Sequence, residues 1–325
     1  MSRIAVDAMG GDHAPAEVIE GAILALEDGA HVILVGDQER IEPLLEERGV
    51  EIPVAHASQV IDFHDDAARA IRDKRDASIV VAARLVKDGE ADAMVSAGST
   101  GAVMAAATFL IGRLPGVTRA GIASIYPTGH VILDVGANIE CKPEHLVQFA
   151  VMGAALATVY VHIDNPTVGL LNIGEEPTKG RDVERAAYQL LMDSAAINFV
   201  GNVEGRDIAT KKADVIVTDG FTGNVFLKST EGAGKAIQQM IMETVAQPAY
   251  AEHVAGLMPA FLELRERLSA ETVGGAHLVG TQGVVVIAHG SSSRFAIRNA
   301  IRIATEGADS GLVRKISAGI EAAVH

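Results

Sequence analysis

The sequence predicts an α/β protein built on a mostly parallel sheet, and three observations carry that expectation. Short apolar runs of strand length alternate with helical patterns along most of the chain, the rhythm of βα units. The core is aliphatic: 49% of the 325 residues are hydrophobic but only 4% aromatic, with no Trp, which suits strands covered by helices on both faces. Several strands end in loops rich in Gly, Ser, Thr, Asn and Asp, and open α/β sheets bind ligands beyond the carboxyl ends of their strands.

Ile4 to Asp7 reads as the first strand. The loop after it carries Gly10, Gly11, Asp12 and His13, and a helix follows from Pro15 to about Asp28. Adjacent glycines before a helix allow backbone amides close approach to an anion, but a tight βα turn explains them equally, and no G-x-G-x-x-G is present. His31 to Gly36 is a strand, Gln38 to Gly49 a helix and Pro53 to Ala57 a strand. Ile61 to Arg75 reads as polar and irregular, its basic half either a solvated face or a surface for an acidic partner.

Ser78 to Lys87 is a helix and Ala91 to Val95 a strand. Ser96, Gly98, Ser99, Thr100 and Gly101 then lead into a helix over 102–111, a second candidate cradle. The spacing is not G-x-S-x-G, so no nucleophile elbow is indicated. Gly121 to Tyr126 and His130 to Asp134 read as a hairpin around Pro127-Thr128-Gly129. A long helix starts at Pro143. Cys141 lies four residues from His145, a spacing open to a thiolate pair or to simple core packing.

The stretch around which these elements organise is Val168 to Gly180. An apolar strand ends in Asn172-Ile173-Gly174, and a turn with Glu175, Glu176, Thr178 and Lys179 leads to a helix from Arg181 to about Asp193. Lys179 is the cation of that turn and the natural partner of an anion, although a solvated lysine fits the same pattern. Two more strands, Asn198 to Val203 and Ala213 to Val217, end in Glu204-Gly205-Arg206-Asp207 and in Thr218 to Asn224. A helix is expected over 225–246, with Asn224 at its N-cap.

Pro248 to Ser269 breaks the rhythm, and Gly256 and Pro259 are expected to split it into two helical pieces. Met258, Phe261, Leu262, Leu264 and Leu268 form an apolar stripe with Arg265 and Arg267 beside it. Core packing, a dimer contact and an amphipathic hairpin touching a membrane or acyl-bearing partner all fit. Gly283 to His289 is the last strong strand, and Ser292 or Ser293 caps the next helix. On that helix Arg294, Arg298 and Arg302 recur as a basic stripe, either a docking face or one side of surface ion pairs.

The totals exclude several classes. A net charge of −15 argues against nucleic acid as the main partner. A single cysteine rules out an intramolecular disulfide and a Cys-rich zinc site. The N-terminus runs into a strand without a signal-peptide core, and the uncharged span over 146–163 is expected to be a buried helix, not a membrane span. The expectation is a cytoplasmic protein.

Taken together, the loops resemble the bacterial phosphate acyltransferase family, the acyl-carrier-protein:phosphate transacylases of phospholipid synthesis. The matching pieces run from Asp7-Ala8-Met9-Gly10-Gly11-Asp12 through 95–102, 133–138 and the Lys179 stretch. They continue through 202–207, 218–224 and Gly274-Gly275-Ala276 to Ala288-His289-Gly290-Ser291. Ser99 stands where the family usually has asparagine, and His277 where it has proline.

The resemblance implies the isocitrate/isopropylmalate dehydrogenase-like, phosphotransacetylase-like αβα sandwich, as a single domain over 1–325 with a protruding helical hairpin at about 246–270. It implies a homodimer that makes acyl phosphate from long-chain acyl-ACP and inorganic phosphate; no cofactor is expected, and no ligand cluster in the sequence suggests a metal. Peripheral membrane contact and a downstream membrane glycerol-3-phosphate acyltransferase belong to the same expectation. Lys179 and Asn224 are the implied catalytic residues. The implied substrate and phosphate contacts are Asp7, Gly10, Gly11, Asp12, His13, Ser96, Gly98, Ser99, Thr100, Gly101, Asn138, Glu204, Asp219, Gly220, Phe221 and His289. Met258, Phe261, Leu262, Arg265 and Arg267 are the implied membrane or ACP contacts.

The residues fit that chemistry. Phosphate is itself a nucleophile, so the site must supply proximity, charge neutralisation and a polar partner for the thioester oxygen. The rival readings are a decarboxylating hydroxyacid dehydrogenase, a short-chain phosphotransacetylase and a non-catalytic scaffold that recruits ACP to membranes.

Overall fold

The computed structural model describes residues 2–267 and 274–324. Its framework is an eleven-stranded sheet in the order β3-β2-β1-β4-β11-β10-β5-β6-β9-β7-β8. The strands are β1 (Arg3–Asp7), β2 (His31–Gly36), β3 (Val54–His56), β4 (Ala93–Ser96), β5 (Gly121–Ile125) and β6 (Val131–Leu133), followed by β7 (Thr167–Leu171), β8 (Asn198–Val203), β9 (Val215–Val217), β10 (Ala276–Val279) and β11 (Val284–Ile287).

Two parallel blocks make up this sheet. β3, β2, β1, β4 and β11 run together, as do β6, β9, β7 and β8. Between them β11–β10, β10–β5 and β5–β6 are all antiparallel. Three reversals leave the second block running opposite to the first. The carboxyl ends of the two blocks therefore point to opposite ends of the strands.

Successive strand side chains face opposite sides, so each apolar strand feeds two helix layers. Ile4 and Val6 of β1 pack with Val95 and Val286 under the helices Ala16–Glu27 and Arg294–Asp309. Ala5, Met94 and Val285 face the other way, toward Ser78–Lys87 and Thr100–Ala106. In the second block Val131, Val168 and Val215 pack under Pro143–Leu156 and Leu312–Val324. The apolar span expected as a buried helix runs over Pro143–Val161, and half of its most apolar window lies inside the fold, Phe149 and Met152 completely.

Four local expectations are corrected. Within the stretch read as irregular, Asp66 caps a helix over Ala67–Asp73 by accepting the Arg69 N–H at 2.8 Å, and Ala70 and Ile71 bury its inner face. β10 was not expected, because its glycine-flanked residues show little apolar run; its place between two strands supplies the ladder that defines it. The helix expected from residue 225 begins at Gly220 and runs to Val245. Neither Gly256 nor Pro259 divides the last segment, which is one helix over Ala251–Arg267 with Pro259 inside it. Proline there removes one backbone hydrogen bond, while Met258 and Phe261 face Ile237 and Ile241 of the neighbouring helix across an apolar groove.

The basic stripe is also resolved. Arg294 pairs with Glu17 and Glu20, Arg298 with Asp28 and Arg302 with Glu306. Its first two arginines hold the two outer helices together, and Ser293 caps the arginines' own helix by accepting the Ala296 N–H. The stripe is spent on this fold's own carboxylates.

Candidate active site

The expected site residues divide into two groups. One lies beyond β1, β4 and β11. There Asp7 is buried and accepts the Ser96 hydroxyl at 2.6 Å and the Met9 N–H at 3.2 Å, while Ser96 Oγ takes the Gly98 N–H at 3.1 Å. Burial raises the Asp7 pKa against those hydrogen bonds. Asp7 and Ser96, expected as ligand contacts, thus spend these polar atoms on joining two loops. The Asp12 N–H donates to Gly290 O at 2.7 Å, which ties in the third loop, and His289 Nδ1 meets Ser291 Oγ at 2.8 Å. Gly10 and Gly11 pack against the 97–98 turn. Asp12, His13, Thr100, Gly101 and His289 stay exposed, with Ser99 half-buried.

The second group lies beyond β6, β7, β8 and β9. Five strand steps separate β1 from β6, roughly 24 Å across the sheet at strand spacing. The nearest strands of the two groups, β11 and β6, are three steps apart, and the two sets of loops leave opposite ends of the strands.

In this second group Asp134 organises the first turn. Its carboxylate accepts the N–H groups of Ile122, Gly136, Ala137 and Asn138 at 2.7–3.1 Å and the Asn138 side-chain amide at 2.9 Å. Asn138 also donates to Ala120 O at 2.8 Å, so the side-chain nitrogen of this expected substrate residue is engaged within the turn. The helix Gly220–Val245 enters directly against that turn. Its Gly220 N–H donates to Asn138 O at 2.7 Å, and a Cβ on Gly223 would lie 1.9 Å from Asp134 O. Only glycine permits that approach.

Because the helix begins early, Asp219 is its N-cap, accepting the Thr222 N–H at 2.8 Å, and Asn224 stands exposed on the first turn. A Cβ on Gly136 would come within 4.0 Å of Asn224 Cγ, which places the amide over the Asp134 turn. Phe221 is 60% exposed beside it.

The Lys179 loop is pinned by two asparagines. Asn172 donates to Lys179 O at 3.1 Å, and Asn202 donates to Glu176 O at 2.9 Å. Neighbouring cations are neutralised at short range: Arg181 by Glu184 and Asp219, Arg185 by Asp182, Arg206 by Glu204, and Lys212 by Glu175 at 2.9 Å. Lys179 meets Glu176 only at 4.0 Å and is about half exposed. Its charge is the least compensated of this set. Glu204, expected as a substrate contact, lies at the end of β8 with Arg206.

Cys141 does not pair with His145. The His145 ring accepts the Lys142 N–H at 3.1 Å, Cys141 Sγ lies 3.8 Å from Asn138 O, and burial beside Asp134 and Asp219 pushes the thiol up to about 12. In the hairpin, Met258, Phe261 and Leu262 line an apolar groove of about 250 Å³ against the long helix. The side chains of Arg265 and Arg267, and Leu268 as a whole, lie outside the described residues.

Sequence reasoning did not single out Arg181, Asn172, Asn202 or Asp134 as site residues. Asn172 and Asp134 do stand at strand ends, where a polar side chain commonly serves the following turn.

The family model described as "Fatty acid synthesis protein" matches residues 2–315. A phosphate acyltransferase of Desulfitobacterium hafniense (strain Y51) is 49% identical over 324 residues, covering 97% of this chain and 96% of its own. The chain belongs to the phosphate acyltransferase family. It is an enzyme that transfers acyl groups. The phosphate acyltransferase of Bacillus subtilis (strain 168) is 44% identical over 311 residues, covering 94% and 93%. Among solved structures, a phosphotransacetylase from Streptococcus pyogenes superposes with a TM-score of 0.61 at 20% identity, covering 95% and 94% of the two chains. A 4-hydroxythreonine-4-phosphate dehydrogenase from Burkholderia phymatum gives 0.51 at 15%, covering 99% and 98%. At those identities the likeness is one of fold, and it matches the phosphotransacetylase-like and dehydrogenase-like α/β architecture expected for this chain.

Proposed function

We propose that the protein transfers the acyl group of a long-chain acyl-ACP to inorganic phosphate, at the loops beyond β6, β7 and β9. The observation that carries this reading is the Arg181–Asp219 bridge, which draws the Lys179 loop against the helix that bears Asn224. A phosphate oxygen attacks the thioester carbonyl carbon, the C–S bond breaks, and the phosphate proton passes to the departing thiolate. The products are acyl phosphate and ACP thiol.

Lys179, with its weakly compensated charge, holds the phosphate and offsets charge that develops at the carbonyl. Asn224 donates to the phosphate or the thioester oxygen. Asp219 acts from behind as the cap of that helix. The apolar hairpin groove supports contact with lipid or an acyl chain. A homodimeric, cytoplasmic enzyme on the membrane surface, passing acyl phosphate to a membrane glycerol-3-phosphate acyltransferase, belongs to the same proposal, as does a single acyltransferase domain.

The test mixes protein with palmitoyl-ACP, with and without phosphate, and traps acyl phosphate with hydroxylamine. Phosphate-dependent hydroxamate is expected, and Lys179→Ala should lower turnover about 100- to 1,000-fold. Product from acetyl-CoA but not palmitoyl-ACP would make it a short-chain phosphotransacetylase, and ACP binding without turnover a scaffold.

A further inference from the structure

We propose that Arg181 is a positioning residue for acyl transfer, its guanidinium bracing the loop of Lys179 against the helix of Asn224. This rests on the acyl-phosphate reading above. Only Gly180 separates Arg181 from Lys179. Gly180 holds φ at +90°, and a Cβ there would lie 2.7 Å from Asn172 Oδ1 and 3.0 Å from Glu184 Cβ. The connection therefore has little slack.

Arg181 is fastened at three points. Its backbone N–H donates to Glu184 Oε2 at 2.8 Å, its Nε reaches the same carboxylate at 2.9 and 3.1 Å, and its Nη2 bridges Glu184 and Asp219. Both carboxylates are buried, Glu184 at 7% and Asp219 at 3% exposure. Asp219 in turn accepts the Thr222 N–H at 2.8 Å and the Thr222 hydroxyl at 3.0 Å. A displacement of the guanidinium would thus move the helix start relative to the Lys179 loop. An ammonium cannot reproduce the fork that spans two carboxylates.

The groups facing Asp219 give the brace a pH signature. Burial pushes the Asp219 carboxyl up, yet the Thr222 N–H, Arg181 and the Thr222 hydroxyl together hold it below the usual carboxylate range. Among the described residues Asp134, Cys141 and Glu184 lie around it and bring no positive charge, while Arg119 acts on Cys141 in the same cluster. Without Arg181 burial is opposed only by the Thr222 hydrogen bonds, so Asp219 protonates at higher pH than in wild type and its capping of the Asn224 helix weakens there.

Arg181→Gln and Arg181→Lys are compared with wild type and Lys179→Ala in the palmitoyl-ACP and phosphate assay, with thermal melting to verify folding. Arg181→Gln should lower kcat about 100-fold, as a misplaced catalytic group does. KM for phosphate should stay within about twofold, since the phosphate-binding charge on Lys179 is kept. The acid limb of kcat should move to higher pH, and Arg181→Lys should recover only part of the rate. If Arg181→Gln does not fold, Arg181→Gln with Asp219→Asn removes the uncompensated carboxylate and should keep the low kcat without the shifted limb. A folded Arg181→Gln with wild-type kcat and pH profile, or with its loss confined to KM for phosphate, overturns the brace. Failure of wild type to form hydroxamate overturns the functional reading itself. Activity in wild type with loss in Lys179→Ala supports that reading however Arg181 behaves.

Discussion

Asn172 donates its side-chain amide to the carbonyl oxygen of Lys179 at 3.1 Å, while its own Oδ1 accepts the Ile173 N–H at 2.8 Å. One side chain at the end of β7 thus closes the loop whose lysine we place at the phosphate. Asn172→Ala should lower kcat about tenfold by loosening that backbone, less than loss of the lysine itself. Steady-state hydroxamate formation at saturating palmitoyl-ACP measures it; an unchanged kcat would mean the loop holds its shape without the amide.

Gly223→Ala should cost at least about 1–3 kcal/mol of stability. The new methyl would sit 1.9 Å from the Asp134 carbonyl, a backbone atom with no freedom to rotate away. Chemical denaturation reads the loss. A midpoint equal to wild type would show that the helix can shift its start without penalty.

His277 predicts an acid-sensitive fold. It is 2% exposed, neither ring nitrogen has a hydrogen-bond partner among the described residues, and its ring lies 4.4 Å from that of Tyr160. Burial lowers its pKa from 6.5 to about 4. The unfolded chain therefore binds the proton first as pH falls. The contribution is complete above pH 6.5 and is lost progressively between there and about 4, on the order of 3 kcal/mol at the limit. Replacement as His277→Leu should flatten the stability profile in that window. A profile as steep as wild type would assign the acid sensitivity elsewhere, for example to His130, which burial also lowers.

Cys141 should be inert. With its thiol pushed up to about 12, little thiolate exists at pH 8, and alkylation by iodoacetamide should be slower than for free cysteine by about two orders of magnitude or more. Cys141→Ser should retain acyl transfer. Rapid labelling that abolishes activity would restore the thiol to the mechanism.

Much of the fold was legible because parallel strands buried on both faces are near-continuous aliphatic runs, as at Val284 to Ile287 and His31 to Gly36. β10 was not, since four residues after two glycines carry too short a pattern and only pairing with β5 and β11 makes them a strand. The helix over Gly220–Val245 was misplaced at its start because glycines disfavour helix. Gly220 and Gly223 are needed there by the close approach to the Asp134 turn, which no local propensity encodes.

The sequence by itself determined the α/β class, the alternation of elements, the loops that end in polar turns and, through their joint resemblance, the acyltransferase family. It also singled out Lys179, since a lone cation in an acidic turn is visible in one dimension. Only the tertiary structure decided which loops share a site. Three antiparallel pairings at the centre of the sheet turn the second block around, so Asp7 and Ser96 end far from Lys179 and Asn224. Only the tertiary structure, too, decided which charges are spent: Arg294 and Arg298 on the acids of another helix, Arg181 on Asp219, and Lys179, among the described residues, only loosely on Glu176 at 4.0 Å. Strand direction and ion pairing depend on contacts between residues tens or hundreds of positions apart, and local pattern carries no record of them.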